Sequence, residues 1–393
     1  MTNDLLDFLE DETQKINKIF VNLSKLSIVI PSYERHIYLL RQCMHLYGSG
    51  ATIFLIDGSS KPLNTEIQKF LNKLENINYI HMPRSVVSRF RFVSNLINTQ
   101  YTVTANDDDF LLCSALNEAI KNLDSNQKLV GYLGQSCALK VEKNKKPSRY
   151  SSFYNAYPDY NVLDNKINDR LDYVFNNYKT PSFAVLRTEV WQDSWGNQPD
   201  CFSTSNVSEL FQAFSVYIKG KIATMKYLYI VITNENVSIN NGKDNRNLLI
   251  KEWYESHQFE SEKNFFINEI ARKIDGFDQN SARSIVTTSL ENYIKRGDSN
   301  SFLVSQIIRY PSLKKQFMQV IKFTKKLQMD FYLLLKKYFL IFYISRTYFN
   351  KQIFIKKQKK QGFLVTDDLI LELTKIENLI QKFQKFSSLP KVF

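Results

Sequence analysis

Four cysteines and four histidines in 393 residues leave little from which to build a zinc site. Cys43, Cys113, Cys137 and Cys201 lie far apart, no C-x-x-C occurs, and the histidines are equally scattered. Zinc-ligand spacing is therefore missing. Nothing suggests a disulfide framework either, and buried free thiols in a reducing cytoplasm are expected. Glycine and proline are sparse, 11 and 9, with no Gly/Ser-rich linker and no internal repeat. Neither G-x-G-x-x-G nor G-x-x-x-x-G-K-[ST] is present, which counts against a glycine-built phosphate loop. No uninterrupted apolar run reaches the ~18–20 residues that a membrane-spanning helix needs. The acidic start MTNDLLDFLEDETQK lacks the basic and apolar regions of a secretory leader. A helical arm over residues 1–23 of a cytoplasmic protein is the expectation.

What is present is a globular composition, 44% hydrophobic, with a formal charge of +13. The charge is unevenly placed. Residues 301–360 hold 14 Lys/Arg against the single acid Asp330, and residues 1–300 balance to zero. In this segment lysines alternate with aromatic and aliphatic residues, and Lys336 and Lys337 interrupt its most apolar part. A basic amphipathic helix against an anionic bilayer fits that pattern. A helical region packed on the rest of the chain, a protein partner or a homo-oligomer contact fits it too. With a neutral remainder and no recognised module, nucleic acid is not an expected partner.

Along the chain, short apolar runs alternate with helical periodicity. Leu26–Pro31, Ala51–Ile56, Ile77–His81 and Tyr101–Thr104 read as strands, and Ile37–Leu46, Glu66–Leu74 and Val86–Asn98 as helices. Further on, Leu111–Leu123 reads as a helix, Leu129–Lys140 and Ser182–Leu186 as strands, and Arg187–Trp195 and Val207–Lys219 as helices. Residues 222–232 read as a strand pair, 142–176 as a weakly patterned insertion, and the chain beyond about 250 as all-helical. Such alternation predicts an α/β fold with a mainly parallel central sheet and flanking helices. In such sheets functional groups collect beyond the carboxyl ends of the strands. Ser32–Arg35, Asp57 and Asp107–Asp109 all follow strand ends and are expected to converge on one crevice.

The run Thr102–Leu112, TVTANDDDFLL, sets three consecutive carboxylates between two apolar stretches. A divalent cation with hard oxygen ligands, Mn²⁺ or Mg²⁺, would neutralise such a cluster and leave positions for substrate phosphates. Capping of the following helix by Asp108 or Asp109 is the plainer alternative.

Taken in order, LSIVIPSYERHIYLLRQC, IFLIDGSS and YTVTANDDDFL resemble the opening of a GT-A glycosyltransferase of the family 2 type. The closest likeness is to a bacterial subgroup whose acidic motif is three Asp followed by Phe. The resemblance covers roughly residues 24–250 and implies a Rossmann-like GT-A catalytic domain there. Residues 251–393 would then form a helical C-terminal region carrying the basic segment 301–360.

The resemblance implies that Pro31, Tyr33, Glu34 and Arg35 line a nucleotide pocket, although Glu34 stands where Asn or Asp is commoner. It also implies that Asp57 contacts the base, with Ser59 and Ser60 nearby. Asp107 and Asp109 would hold the metal, with Asn106 and Asp108 nearer the sugar or ribose. Arg84, ahead of Arg89 and Arg91, would face a diphosphate, a solvated basic helix face being the plainer role for such arginines. Glu209 would be the general base of an inverting transfer, with Asp200 and Asp193 as rivals. The spacing Asn206–Glu209 also suits a capping box. Arg187 matches a recurrent Arg of the family, whereas Trp191 and Trp195 suit core packing.

The implied activity is metal-dependent transfer of a sugar from a nucleotide-sugar donor to a surface-polysaccharide or lipid-linked glycan. It would take place on the inner face of the plasma membrane. Alternatives are a nucleotidyltransferase or other phosphotransfer enzyme on a similar fold, and a non-catalytic membrane-associated glycan-assembly protein.

Overall fold

The computed structural model describes residues 2–15, 21–143, 145–151, 161–233, 235, 250–299 and 348–386. After helix α1 (Thr2–Lys15), strand β1 (Leu26–Ser32) leads through α2 (His36–Leu46) to β2 (Thr52–Asp57). Then follow α3 (Thr65–Leu71), β3 (Ile77–His81), α4 (Val86–Ser94) and β4 (Tyr101–Thr104). These strands form a parallel block ordered β3-β2-β1-β4, with Ser32 opposite Asp57 and Val29 opposite Thr104. Six of the seven residues of β1 are buried, as expected of a strand covered on both faces. The chain runs outward from β1 to β3 and then returns through α4 to the other side of β1. Right-handed crossovers therefore place α2 and α3 on one face and α4 on the other. The reversal makes the carboxyl ends of β1 and β4 a topological switch point.

Beyond β4 the sheet continues with mixed pairing. The short β5 (Phe110–Leu111), α5 (Cys113–Ser125), β6 (Leu129–Lys140), β7 (Arg149–Ser151) and α6 (Ile167–Asn176) come next. They are followed by β8 (Val185–Arg187), α7 (Thr188–Trp191), a π-helical turn (Gln192–Gly196), α8 (Ser205–Lys219) and β9 (Lys221–Thr233). β8 lies antiparallel between β4 and β6, and β9 pairs parallel with β6 through three register shifts. The fold is thus mixed α/β, with flanking helices, as the strand–helix alternation predicts.

Several details depart from the sequence reading. Residues 221–233 form one long strand rather than a pair, its irregular register absorbing the kink. Phe110–Leu111 opens not a helix but β5, antiparallel to Val231–Ile230. The weakly patterned region contains α6, whose Leu171, Val174 and Phe175 are wholly buried. Arg170 fixes α6 by donating to the carbonyls of Asp164, Asn165, Tyr217 and Ile218.

Past residue 250 come α9 (Ile250–Glu255), α10 (Glu260–Arg272) and α11 (Gln279–Ser299). The region is not wholly helical, because β10 (Phe349–Asn350) pairs antiparallel with β7 at the sheet edge. The chain then forms α12 (Lys351–Lys360) and α13 (Asp367–Phe383). Most of the basic segment expected at a membrane, residues 301–347, lies outside the described residues. Among the described residues no helix is long and apolar enough to cross a membrane.

Candidate active site

Three loops meet at the carboxyl edge of β1, β2 and β4. Gly58 N–H donates to the Ser32 carbonyl at 2.9 Å, Glu34 N–H to Ser59 Oγ at 2.7 Å, and Ser60 N–H to Glu34 Oε1 at 2.9 Å. Glu34 takes a left-handed φ of 58°, a conformation costing about 1–3 kcal/mol, and the two bonds it makes to the second loop offset this. Beside it Tyr33 presents its ring to solvent, 47% exposed.

Beneath the loops lies Arg89, which is buried and donates to the carbonyls of Ser32 at 2.7 Å and Ile56 at 2.6 Å. A Cβ at position 58 would sit 2.6 Å from the Arg89 Cζ, so any side chain there must push the pinned guanidinium aside. Arg84 is exposed, and Arg91 is exposed and donates to the Gln198 carbonyl. Of the three arginines, then, Arg89 and not Arg84 underlies the crevice.

Asp57 is wholly buried. Its carboxylate accepts from Ser59 N–H at 2.9 Å and Tyr79 O–H at 2.7 Å, and pairs with His36 Nε2 at 2.9 Å. Burial pushes its pKa up, but His36, Ser59 and Tyr79 together more than offset that and hold it below the usual carboxylate range. Asp57 therefore organises the second loop from inside.

The acidic run is gripped from three sides. Asp107 accepts from Ser32 Oγ at 2.7 Å and Arg35 Nη1 at 3.1 Å, and Arg35 also lies 3.5 Å from Asp108. Asp109 accepts from Asn106 Nδ2 at 2.8 Å and from the Thr233 N–H, at the end of β9, at 3.0 Å. From α2, Arg41 donates to the Asp108 carbonyl at 3.3 Å and Gln42 to that of Asp109, while His45 Nε2 donates to that of Leu111 at 2.7 Å. Burial, with Lys375 nearby, pushes His45 down to about 3, so its ring is neutral and Nε2 carries the proton. Arg41 is itself paired with Glu235 at 2.5 Å. Burial pushes Asp107 up to about 6 and, with Asp108 beside it, Asp109 up to about 7.

Asp109 and Asn106 line a cavity of about 200 Å³ whose walls include Leu133, Lys179, Thr180 and Phe183. Glu209 is half-buried, with the Tyr178 hydroxyl 3.4 Å from its Oε1, and Tyr178 directly precedes the lining residues Lys179 and Thr180. The helix carrying it begins earlier than the capping-box spacing suggests, because Thr204 is the N-cap and accepts from Val207 N–H at 3.2 Å. Glu209 is thereby released from a capping role. Its rivals are engaged elsewhere: Asp193 faces Lys273 and Lys219, and the exposed Asp200 accepts from Ser85 and Ser88. Arg187 ties down the carbonyls of Leu123, Asn126 and Leu129, and Trp191 and Trp195 pack on Phe90.

Among the described residues no group of three or more His, Cys, Asp or Glu side chains is placed to hold a metal. Hard divalent cations often need only one or two carboxylates besides substrate phosphates, and the donor chemistry here fits one at Asp109. Asp107 already faces the Arg35 guanidinium, whereas Asp109 accepts from the neutral Asn106 amide and Thr233 N–H, and burial with Asp108 beside it raises its pKa.

The structure brings together Pro31–Arg35, Asp57, Ser59 and Asn106–Asp109, leaves Arg84 exposed, and joins Glu209 to Tyr178, the residue before Lys179 and Thr180 of the cavity lining. The sequence reading missed Arg41, Gln42, His45 and Thr233, and named Arg89 only for a diphosphate or a solvated face, not for the loop carbonyls that it holds. The i, i+1, i+4 polar cluster in an otherwise apolar helix was the one available signal.

No family model and no curated protein matches the chain. Among solved structures, residues 1–349 of S. aureus TarS match at 15% identity over 72% of this chain and 75% of that one, with a TM-score of 0.45. The same TarS fragment in complex with UDP-GlcNAc matches at 14% identity over 72% and 76%, with a TM-score of 0.46.

Proposed function

We propose that this protein is a glycosyltransferase that takes its sugar from a nucleotide-sugar donor. The observation that carries the reading is the crevice at the switch point between β1 and β4. There, three consecutive carboxylates are held by Arg35 and by the backbone clamps of α2, beside the exposed aromatic ring of Tyr33. Tyr33 offers a face for the base and the 59–60 loop lies beside it, with Arg35 and the Asn106–Asp109 loop near the phosphates and sugar. In the transfer, an acceptor hydroxyl attacks the anomeric carbon as its bond to the phosphate oxygen breaks. Glu209 takes the hydroxyl proton, and the nucleoside diphosphate departs with the bonding pair. Asp109, with Asp107, would hold Mn²⁺ or Mg²⁺, which supplies positive charge for the leaving diphosphate when bound. The acceptor is a surface glycan or lipid-linked glycan, reached at an anionic membrane surface through the basic segment 301–360.

Thermal melting with a panel of nucleotide sugars, with and without Mn²⁺, tests the reading. At least one nucleotide sugar should raise Tm only when Mn²⁺ is present, and Asp109→Ala should abolish that rise. A panel with no metal-dependent shift in the wild type overturns the proposal.

A further inference from the structure

Helix α5 begins two residues after β5 and carries on directly from the acidic loop, yet its N-cap residue Leu112 has no side chain to cap it. The first amide groups of any helix need partners, and burying them unpaired costs about 1–3 kcal/mol each. The partner comes from the other end of the chain. Glu372 of α13 is buried and accepts from the N–H of Cys113 at 2.7 Å, from that of Ser114 at 3.1 Å and from the Ser114 hydroxyl. One turn later on the same helix, Lys375 donates to the His45 carbonyl at 2.9 Å, in the last turn of α2.

An anion therefore meets the positive end of α5 and a cation meets the negative end of α2, the arrangement both helix dipoles favour. These two helices bracket the acidic loop. α2 grips the carbonyls of Asp108, Asp109 and Leu111, and α5 continues from them. Burial raises the pKa of Glu372 and lowers that of Lys375, and their hydrogen-bond and charged partners counter that only in part.

We propose that Glu372 is a positioning residue for the acidic loop, acting through the amino end of α5, with Lys375 its counterpart on α2. Glu372 touches no substrate. It sets the distance between the two helix ends, and through them the placing of Asp107–Asp109. The activity part of this proposal rests on the glycosyltransferase reading. The placement part does not.

The test uses the full chain and four proteins: wild type, Glu372→Ala, Glu372→Gln and Glu377→Gln. Glu377 lies on the same buried face of α13 but holds Tyr150 and Lys351 instead, so its variant reports general loosening of the helix. Amide exchange should quicken by about tenfold or more at Cys113, Ser114 and residues 107–112 in Glu372→Ala. The Gln variant, which keeps an acceptor oxygen, should restore most of the protection, and Glu377→Gln should leave those amides unchanged. With the donor identified by melting, kcat of Glu372→Ala should fall by about ten- to hundredfold with KM little changed. Glu372→Gln should recover much of that loss. An equal loss of kcat in Glu377→Gln, or unchanged exchange in Glu372→Ala, overturns the proposal. If the wild type turns over no nucleotide sugar, the functional reading fails and the exchange result alone decides whether Glu372 positions the loop.

Discussion

Burial and the neighbouring Asp108 push the Asp109 carboxyl from an ordinary 3.8 up to about 7, and Asp107 reaches about 6 chiefly through burial. A raised carboxyl binds its proton more tightly folded than unfolded. Its stabilising contribution is complete below the unfolded value and disappears as pH rises through the folded one. In chelator-containing buffer the wild-type Tm is therefore expected to fall between pH 5 and pH 8. Asp109→Asn, which cannot ionise, should flatten the part of that fall between pH 6 and 8. It should also stand about 1–2 kcal/mol above the wild type at pH 8. Calorimetry at stepped pH checks this, and a variant no more stable than the wild type at pH 8 would refute it. Asp57 has the opposite sign: its lowered carboxyl stabilises above the unfolded value and loses that contribution as pH falls through the folded one.

At the scale of elements, the first two crevice loops act as one unit because Gly58 lets Arg89 rise against both. Gly58→Ala should cost about 1–3 kcal/mol by overpacking. It should also weaken nucleotide-sugar binding, because the clash displaces the loop bearing Ser59 and Ser60. Denaturant melts and donor titrations together measure both effects, and a variant with wild-type affinity would show that the loops move independently. Three of the four parallel strands, β1, β2 and β4, were legible as short runs buried on both faces and the edge strand β3 as a short β-prone run, and the crevice was legible because sheet topology dictates where loops gather. β5 was not, since two residues acquire strand character only from β9, more than a hundred positions away. Arg84 was favoured for its place just after Pro83 beyond the end of β3, whereas the phase of α4, which turns Arg89 inward, cannot be fixed from spacing alone. Glu209 was legible as an acid at a helix start, but its freedom from capping depended on Thr204, which the local pattern outranked with Asn206.

For the whole molecule, the net charge and the crevice lie in different parts of the sequence. The first 300 residues are neutral and hold the crevice, while the entire excess of +13 lies in residues 301–360. Each lysine or arginine near an anionic bilayer contributes about 1 kcal/mol of attraction. The full chain should therefore float with vesicles containing anionic lipid at low salt and stay behind with neutral ones. Replacing the lysines of 301–347 by glutamine should abolish flotation while leaving Tm changes with nucleotide sugar intact. Equal flotation of that variant and the wild type would remove the membrane from the account.

The contact between Glu372 and Cys113 spans 259 positions. At roughly 5–20 residues per second, a ribosome needs on the order of 10–50 s to make the intervening chain. Throughout that interval the nascent protein has its first four strands and its acidic loop but lacks the helix that closes both ends of the bracket. The same holds for the sheet edge, which β7 presents bare until Phe349 and Asn350 arrive. Until α13 is made, the amino end of α5 lacks the carboxylate that Glu372 brings to the Cys113 and Ser114 amides.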